Sequence, residues 1–437
     1  MPKRISHNLN IEQAWELLLK KYDIVKKTEQ NGFFRITANQ IKEYKEPRLM
    51  AKFDSSDILT KPLKNNKLNI LPDSSRSYVI GDFLLYQDIP ELTEKVEQMT
   101  PVQLANYETI DINNINSEAN AINILLLSGI LDDFLGSDNT VATFNGKMGT
   151  GVFDFFVNTH KNIKHRIHVN KARCEIDGGF ENEKEIVILE AKNVLHKDFH
   201  IRQLYYPYRL WKSKVKKPVR LIFSIYSNMI YRLFEYRFNK LEDFSSIELV
   251  HTKNYSLQDI QISLDDLIKV RKTTITTKND KKKKNSTPFI QADSLDRVIS
   301  LLENMKTEPM SYAQVLELMN FVSRQRQYYV NAGIYLGIFE NNTKKQTVCL
   351  TKTGERLVKM NYKERQLKLV SLILEHKIFA DLFDFTIENG VIPNKKHVCN
   401  KMIELNVCEN TNSTIERRAS SVLHWLKWIF NLPILSS

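Results

Sequence analysis

The pattern of apolar and polar residues divides the chain into parts of different character, beginning with a helix near its start. Segment 11–22 carries apolar residues at the i, i+3, i+4 and i+7 spacing of one helical face, and Asn10 precedes it as an N-cap residue. Short apolar runs follow, separated by Gly, Pro, Asn and Ser residues. These runs lie at 33–36, 68–71 and 78–80. The pattern therefore predicts an N-terminal α/β or β-rich module over residues 1–105.

A second helix and a series of strands predict a central domain over residues 106–270. Ser117 is the expected N-cap of a helix that runs to about Leu135, and Glu118 falls on its buried stripe. That stripe consists of Ile122, Leu125, Leu126 and Gly129. Strands are expected at 151–157, 165–177, 186–192, 219–226 and 229–236. Because a helical stretch separates the third strand from the fourth, we expect a mixed sheet flanked by helices.

Beyond residue 270 the chain changes character again. Segment 271–287 contains four consecutive lysines at 281–284 and is typical of a linker that is solvated or lies against phosphates. Residues 288–437 are helix-rich, with helical patterns starting near Asp293, Ser311 and Ser323, followed by a polar turn and the strand-like start of LTKTGERL. Three helices followed by a hairpin resemble the winged-helix plan. The resemblance implies a C-terminal DNA-recognition domain.

In that plan the third helix enters the major groove of DNA with the polar residues near its N-terminus. Arg and Gln are the side chains that bind guanine and adenine edges through two hydrogen bonds. A second DNA-reading helix is expected after the capping pair Ser413 and Thr414. The alternative is that these arginines cover a helical bundle and form salt bridges. The expected DNA-binding residues are Arg324, Gln325, Arg326, Gln327, Arg417 and Arg418, with Arg202 and Arg209 of the central domain.

Composition narrows the classes of partner. The 437 residues correspond to about two to four domains, and the net charge of +12 favours an anionic partner. We find no secretory signal, no segment long enough to span a membrane, no CxxC pair and no P-loop. A reducing cytosol is expected. Residues 191–240 hold twelve Lys or Arg and two Asp or Glu, together with eleven aromatic residues. This composition predicts a surface that binds nucleic acid. The alternative is a solvated helix face over an aromatic core.

The segment 171–193 carries the most informative chemistry. We interpret it as a hairpin whose first strand ends at Asp177, whose turn runs from Gly178 to Lys184, and whose second strand ends in Glu190 and Lys192. Strand residues two apart face the same side, so the carboxylate and the ammonium project together from an apolar strand. Placing such a pair there is costly unless it serves a purpose.

A cluster of this composition suits phosphodiester hydrolysis. Carboxylates bind Mg²⁺ through oxygen, and the metal activates water and stabilises the leaving oxygen. A lysine beside the metal can orient the water or assist its deprotonation, and it offsets charge in the transition state. The expected metal ligands are therefore Asp177 and Glu190, with Lys192 as the catalytic lysine.

Asp177, a gap of twelve residues and the triplet Glu190-Ala191-Lys192 resemble the PD-(D/E)XK nuclease motif, and EID-GGFE…ILEAKN is similar to type II restriction endonucleases. Ile176 stands where the motif name has Pro. The resemblance implies a four-stranded mixed core sheet with flanking helices, Mg²⁺ dependence and cleavage of double-stranded DNA. It also implies that Glu118 joins the metal site and that Gln203 supports it from the following helix. Pro207 interrupts that helix.

Other interpretations of the same residues stay open. Asp177 could be a turn residue, Glu190 and Lys192 an exposed pair, and Glu118 a carboxylate that favours the positive end of its helix. The ten histidines lack partners at metal spacing. The triplet at 333–335 matches half of a GIY-YIG motif but lies within a helical pattern.

These observations lead to one function and two alternatives. We expect a Mg²⁺-dependent, sequence-specific double-stranded DNA endonuclease of a restriction-modification system, acting in the cytoplasm of a prokaryote. Cutting both strands predicts a homodimer, at least on DNA. The first alternative is a non-catalytic winged-helix DNA-binding regulator with a decayed nuclease core. The second is a repair or RNA nuclease on the same fold.

Overall fold

The computed structural model describes residues 9–100, 107–112, 115, 117–277, 289–305, 308–407 and 412–436. The chain has a mixed α/β architecture, as the apolar pattern predicts. The Lys-rich stretch at 281–284 lies outside the described residues. Within the described part of the chain, no helix combines the length and the apolar character needed to cross a bilayer.

The N-terminal part begins with the helix predicted from residue 11. Asn10 accepts a hydrogen bond from the backbone N–H of Gln13, and the Gln13 side chain accepts one in return from the N–H of Asn10, so both cap positions are satisfied. The three predicted apolar runs form one antiparallel sheet with the order β1-β3-β2. The elements are α1 (Ile11–Lys21), α2 (Ile24–Asn31), β1 (Phe33–Thr37), α3 (Ala38–Lys42), α4 (Pro47–Ala51), α5 (Lys61–Asn65), β2 (Asn69–Pro72) and β3 (Ser77–Gly81).

The central part is built on a mixed sheet with helices on both faces. Its elements are β4 (Tyr86–Asp88), β5 (Val96–Gln98), α6 (Glu118–Leu127), α7 (Ile130–Leu135), β6 (Val141–Gly149), β7 (Val152–Asn158), β8 (Lys164–Asn170), β9 (Arg173–Glu181), β10 (Ile186–Lys192), β11 (Asp198–His200), α8 (Arg202–Lys212), β12 (Val219–Ser227), β13 (Ile230–Phe238), β14 (Ile247–Ser256) and α9 (Leu264–Thr273). Seven strands pair in the order β5-β14-β13-β12-β10-β9-β6. The β10–β12 and β14–β5 pairs are parallel and the others antiparallel.

The C-terminal part is mostly helical. Its elements are α10 (Leu295–Asn304), β15 (Met310–Ser311), α11 (Tyr312–Met319), α12 (Ser323–Tyr335), β16 (Phe339–Asn342), β17 (Thr347–Leu350), α13 (Lys352–Lys359), α14 (Tyr362–Leu374), α15 (Lys377–Asn389), α16 (Lys395–Glu404) and α17 (Asn412–Leu435). Helices α10, α11 and α12, the β16–β17 hairpin and helix α13 follow each other in the predicted order. Strand β15, which was not predicted, precedes α11 and extends the hairpin to a sheet of order β15-β17-β16. The proposed cap at Ser413 and Thr414 is wrong, because both residues lie inside α17.

The helix predicted from Ser117 to Leu135 is two helices. Ser117 caps α6 through the N–H of Asn120, as expected. Gly129 does not belong to a buried stripe, since its φ of 77° is left-handed and it separates α6 from α7. The side chain at 122 is only partly buried, and the buried residues of α6 are Ala121, Ile124 and Leu125.

Strands β6 to β9 form one long kinked ribbon, and its shape corrects the predicted hairpin. β6 pairs with β9, and beyond the kink β7 pairs with β8. At the kink the N–H of Thr150 donates to Ala172, and the N–H of Lys171 donates to Gly151, which has a φ of 78°. The expected single strand at 165–177 is therefore two strands, and β6 was not predicted.

Gly178 and Gly179 are not the turn of the hairpin, because β9 continues through them to Glu181. A Cβ atom at Gly179 would overlap the ring of Phe144 and lie 2.5 Å from the Phe144 carbonyl oxygen. The glycine is therefore required for close strand packing and not for a turn.

Replacing Gly179 with alanine should destabilise the ribbon, because the new methyl group overlaps a backbone atom as well as a ring. We expect a loss of about 1–3 kcal/mol in the free energy of unfolding, measured by urea denaturation. Gly149→Ala is the matched control, since no atom of the residues that the structure describes lies within 4 Å of a Cβ built at this position in β6. Equal stability of the two variants would contradict the packing explanation.

Candidate functional site

The candidate site lies where β9 and β10 separate. The two strands pair from Ile186 opposite Glu181 to Leu189 opposite Gly178, and no pairing continues beyond this point. The carboxylate of Asp177 accepts the N–H of Ala191 at 3.0 Å, which satisfies a backbone donor that the neighbouring strand no longer reaches. Asp177 is thus held against the end of β10.

Lys192 is the common contact of three carboxylates. Its Nζ lies 2.5 Å from Glu190 Oε1, 4.0 Å from Asp177 Oδ2 and 4.0 Å from Glu118 Oε1. Nζ also donates to the carbonyl oxygen of Ala191 at 3.0 Å. The structure therefore brings together the carboxylates and the lysine that the sequence singled out.

Gln203, in the first turn of α8, completes this group. Its Nε2 donates to Glu190 Oε1. Pro207 does not break the helix, which runs from Arg202 to Lys212. The missing N–H of the proline removes the helical partner of the Gln203 carbonyl, but the side chain still reaches the carboxylate.

Burial controls the electrostatics of the pair on β10. Burial raises the pKa of the Glu190 carboxyl well above its ordinary value; Lys192 opposes this shift and Asp177 adds to it. For Lys192 burial disfavours the charged form, but Glu190, Glu118 and Asp177 together outweigh it and raise the pKa of the lysine. Lys192 is therefore an ammonium ion at neutral pH, acting as a donor and a cation.

Glu118 reaches the cluster from helix α6, and not from the strands or from α8. It is the first residue of α6, so the helix dipole favours its charge, yet its side chain also faces Lys192. Burial raises the pKa of the carboxyl, Lys192 lowers it and Asp177 raises it further. The side chain keeps 47% of its exposure and is thus the most accessible carboxylate of the cluster.

A fourth carboxylate, Asp54, was not predicted. It comes from the N-terminal part and lies 3.4 Å from Lys52 Nζ and 3.9 Å from an Arg202 nitrogen. Burial opposes ionisation of Asp54, but the Arg202, Lys52 and Lys192 charges hold its pKa below the usual value. No local motif marks this residue, because only the tertiary fold brings it to the site.

The segment that carries Asp54 is fastened to the central part by hydrogen bonds. The buried carboxylate of Asp198 accepts from the Ser55 hydroxyl at 2.7 Å and from the N–H and hydroxyl of Ser56. The N–H of His200 donates to the carbonyl of Asp54. The N-terminal part therefore forms one wall of the site.

The donor set fits a divalent cation. Three carboxylates face one ammonium, so the cluster carries an excess of negative charge when all are ionised. Carboxylate oxygens are the ligands that Mg²⁺ prefers. Within the described residues, no three Asp, Glu, His or Cys side chains are already arranged to hold a metal ion; Lys192 lies between these carboxylates instead. The predicted ligands are Asp177, Glu190 and Glu118.

The residues predicted to bind DNA fall into two groups. Gln325 caps its helix by accepting the N–H of Val322, and the Arg326 guanidinium lies 3.5 Å from the ring centre of Tyr312. Arg418 donates hydrogen bonds to the backbone carbonyls of Phe289 and Ile290. Arg209 packs on the Phe153 ring and donates to the backbone carbonyls of Asp154 and Leu241. Arg202 lies beside the Asp54 carboxylate. The exposed members are Arg324, Gln327 and Arg417.

The basic window at 191–240 is neutralised in part by acidic residues outside it. Arg220 binds Glu235 within the window and Glu185 outside it, Lys217 binds Glu181, and Arg237 binds Glu248. Arg232 is buried and donates to the carbonyl of Pro90. Its exposed lysines are Lys197, Lys212, Lys214, Lys216 and Lys240. The interpretation of the whole window as a phosphate-binding surface is therefore too broad.

Comparison of the chain with known protein families gives domain boundaries and assigns no activity. Residues 12–80, 81–256 and 297–434 match three family models, DUF6996, DUF6997 and DUF7226, each described as a domain of unknown function. The second match contains Glu118, Asp177, Glu190, Lys192 and Gln203. No curated protein and no solved structure matches the chain.

Proposed function

We propose that this protein is a Mg²⁺-dependent DNA endonuclease with a PD-(D/E)XK-type centre, similar to the restriction enzymes of restriction-modification systems. The observation that carries the proposal is the contact of Lys192 with the Asp177, Glu190 and Glu118 carboxylates at the end of a buried strand. Burying this much charge is expensive for the fold. A catalytic purpose explains why it is there.

The residues of the chain have distinct tasks in this proposal. Asp177, Glu190 and Glu118 would hold the metal, which supplies Lewis acidity and lowers the pKa of a bound water. Lys192, as an ammonium ion, donates to the attacking water and to the phosphate oxygens, and offsets the negative charge that grows in the transition state. Gln203 fixes the Glu190 carboxylate through its side-chain amide. Asp177 is held in place by the N–H of Ala191.

The C-terminal part supports DNA recognition in the same proposal. Helices α10 to α12 are followed by the β16–β17 hairpin, as in a winged helix. Arg324 and Gln327 are exposed near the start of α12, where a recognition helix meets base edges. This arrangement also favours the second candidate, a DNA-binding regulator without catalysis, which would shift DNA on a gel with or without Mg²⁺ and never nick it. Cutting both strands needs two active sites or two successive events, and we propose a homodimer, at least on DNA.

The test is the cleavage of phage or plasmid DNA with Mg²⁺ by the full chain. Wild type should give discrete fragments, and Asp177→Asn should reduce the rate by about 10²-fold or more, because one metal ligand is lost. Glu175→Gln is the matched control: it lies two residues away on the same face of β9 but outside the cluster, and should cut normally. Full cutting by Asp177→Asn, or no nicking by wild type in any divalent cation, would overturn the proposal.

A further inference from the structure

The kinked ribbon carries a concentration of positive charge that the sequence prediction did not single out. Residues 141–176 contain six Lys or Arg against two Asp or Glu, with three histidines in addition. The cations are Lys147, Lys161, Lys164, Arg166, Lys171 and Arg173. The ribbon runs directly into Asp177 and so connects this charge to the candidate site.

Strand alternation places these charges on one face. On β9 the exposed Arg173 and Glu175 alternate with buried Cys174 and Ile176, so Arg173 shares a face with Asp177. The two are separated by about 13 Å along the strand. Lys147 lies opposite Glu175 on β6 and therefore belongs to the same face.

The face continues beyond the kink. On β8 the exposed Lys164, Arg166 and His168 alternate with Ile167 and Val169, which are buried in the core beneath the ribbon. The opposite side of the ribbon is thus anchored, and the charged side is left to solvent. Backbone pairing along both halves holds the ribbon in an extended form.

Some of this charge is balanced locally. Asp154 accepts hydrogen bonds from Arg166 and His168, and Lys164 pairs with Asp243 at 2.6 Å. Lys147 Nζ lies 3.8 Å from Glu175, at the limit of an ion pair. Lys161, Lys171 and Arg173 are exposed. Positive charge remains in excess next to the kink, where Lys212 and Lys214 line a cleft of about 240 Å³ whose described lining includes no acidic residue.

We infer that the outer face of the ribbon is a docking surface for the backbone of duplex DNA and guides the scissile strand to Asp177. This inference rests on the proposed nuclease function. Lysine and arginine bind phosphates without regard to base sequence, and an extended strip of cations suits a regular polyanion. Single-stranded nucleic acid would instead favour a succession of exposed aromatic rings. On this face Phe156 is exposed, but its neighbours on β8 are charged or polar.

The experiment measures duplex binding by fluorescence anisotropy at several salt concentrations, with EDTA present so that no DNA is cut. Each phosphate contact contributes about 0.9 to the slope of log K against log salt. The triple variant Lys147→Ala, Lys171→Ala, Arg173→Ala should therefore lower the slope by about 2.7 and weaken binding at moderate salt. These side chains are exposed, so the fold should be unaffected.

The control removes the same charge elsewhere. Lys20, Lys26 and Lys61 are exposed on the N-terminal part, and their replacement by alanine should leave the slope unchanged. An unchanged slope in the ribbon variant, or an equal loss in the control, would overturn the inference. Tighter binding of single-stranded DNA or RNA, with the ribbon-dependent slope found there, would overturn the assignment to duplex. Absence of any duplex binding by wild type would overturn the proposed function itself.

Discussion

In the nuclease proposed above, replacing Lys192 with methionine should abolish most of the DNA cleavage while leaving DNA binding intact. The Lys192 ammonium contacts all three carboxylates, and its loss removes a preorganised positive charge from the transition state. Removing such a donor typically lowers the rate by about 10²–10³-fold. Single-turnover cleavage with Mg²⁺ measures the rate, and anisotropy in EDTA measures binding.

The fold should tolerate this change, because the Glu190 carboxyl left behind already favours its neutral form through burial. Lys184→Met is the matched control, since this lysine is exposed in the turn between β9 and β10. Cleavage by Lys192→Met at the control rate would contradict a catalytic role for the lysine. A thermal midpoint lower than that of the control, together with a loss of DNA binding, would instead attribute the loss of cleavage to unfolding.

Replacing Arg220 with methionine should be among the most destabilising changes of a charged residue in the central part. Its guanidinium forms two hydrogen bonds of 2.7 Å to the two oxygens of Glu235 and others to Glu185 and the carbonyl of Leu135. The substitution leaves two carboxylates without their partner in a largely buried position. We expect a loss of about 2–4 kcal/mol and a thermal midpoint lower by roughly 5–10 °C.

This result would also separate two roles of the basic residues at 191–240. A structural Arg220 predicts a large loss of stability with an unchanged salt slope for DNA binding. Arg220→Lys should recover only part of the stability, because a lysine cannot reproduce the paired geometry. Lys216→Met, at an exposed position nearby, should change stability little. A lower salt slope with normal stability in Arg220→Met would instead assign this residue to phosphate contact.

The part of the site that could be predicted from sequence is the part encoded locally. The apolar run 186–189 predicts a strand, and a two-residue spacing then fixes Glu190 and Lys192 on one side. Ser117 and its helical pattern predict where Glu118 begins a helix. Their convergence on Lys192 is a tertiary property, which the family resemblance suggested and the apolar pattern alone could not.

The errors come from features whose cause is distant in sequence. Gly179 was interpreted as a turn residue, but its reason for being glycine is Phe144, on another strand. Strand β6 contains Ala, Thr, Asn and Gly residues and lies at the exposed edge of the sheet, so it lacks the apolar alternation that marks a strand. The net charge of the window 191–240 overstates the charge available to a partner for the same reason. The acids that neutralise Arg220 and Lys217 include residues outside this window.

The hydrogen bonds around Asp198 mean that a boundary in the sequence need not be a boundary in the folded protein. The family matches change at residue 80, yet Ser55 and Ser56 supply donors to a carboxylate buried more than a hundred residues later. A fragment starting at residue 81 would keep Asp177, Glu190 and Lys192 but leave Asp198 without these donors and the site without Asp54. The central part is therefore not independent of the N-terminal part, and residues 81–256 transferred alone into another protein would keep the Asp177, Glu190 and Lys192 side chains without the wall that supports them.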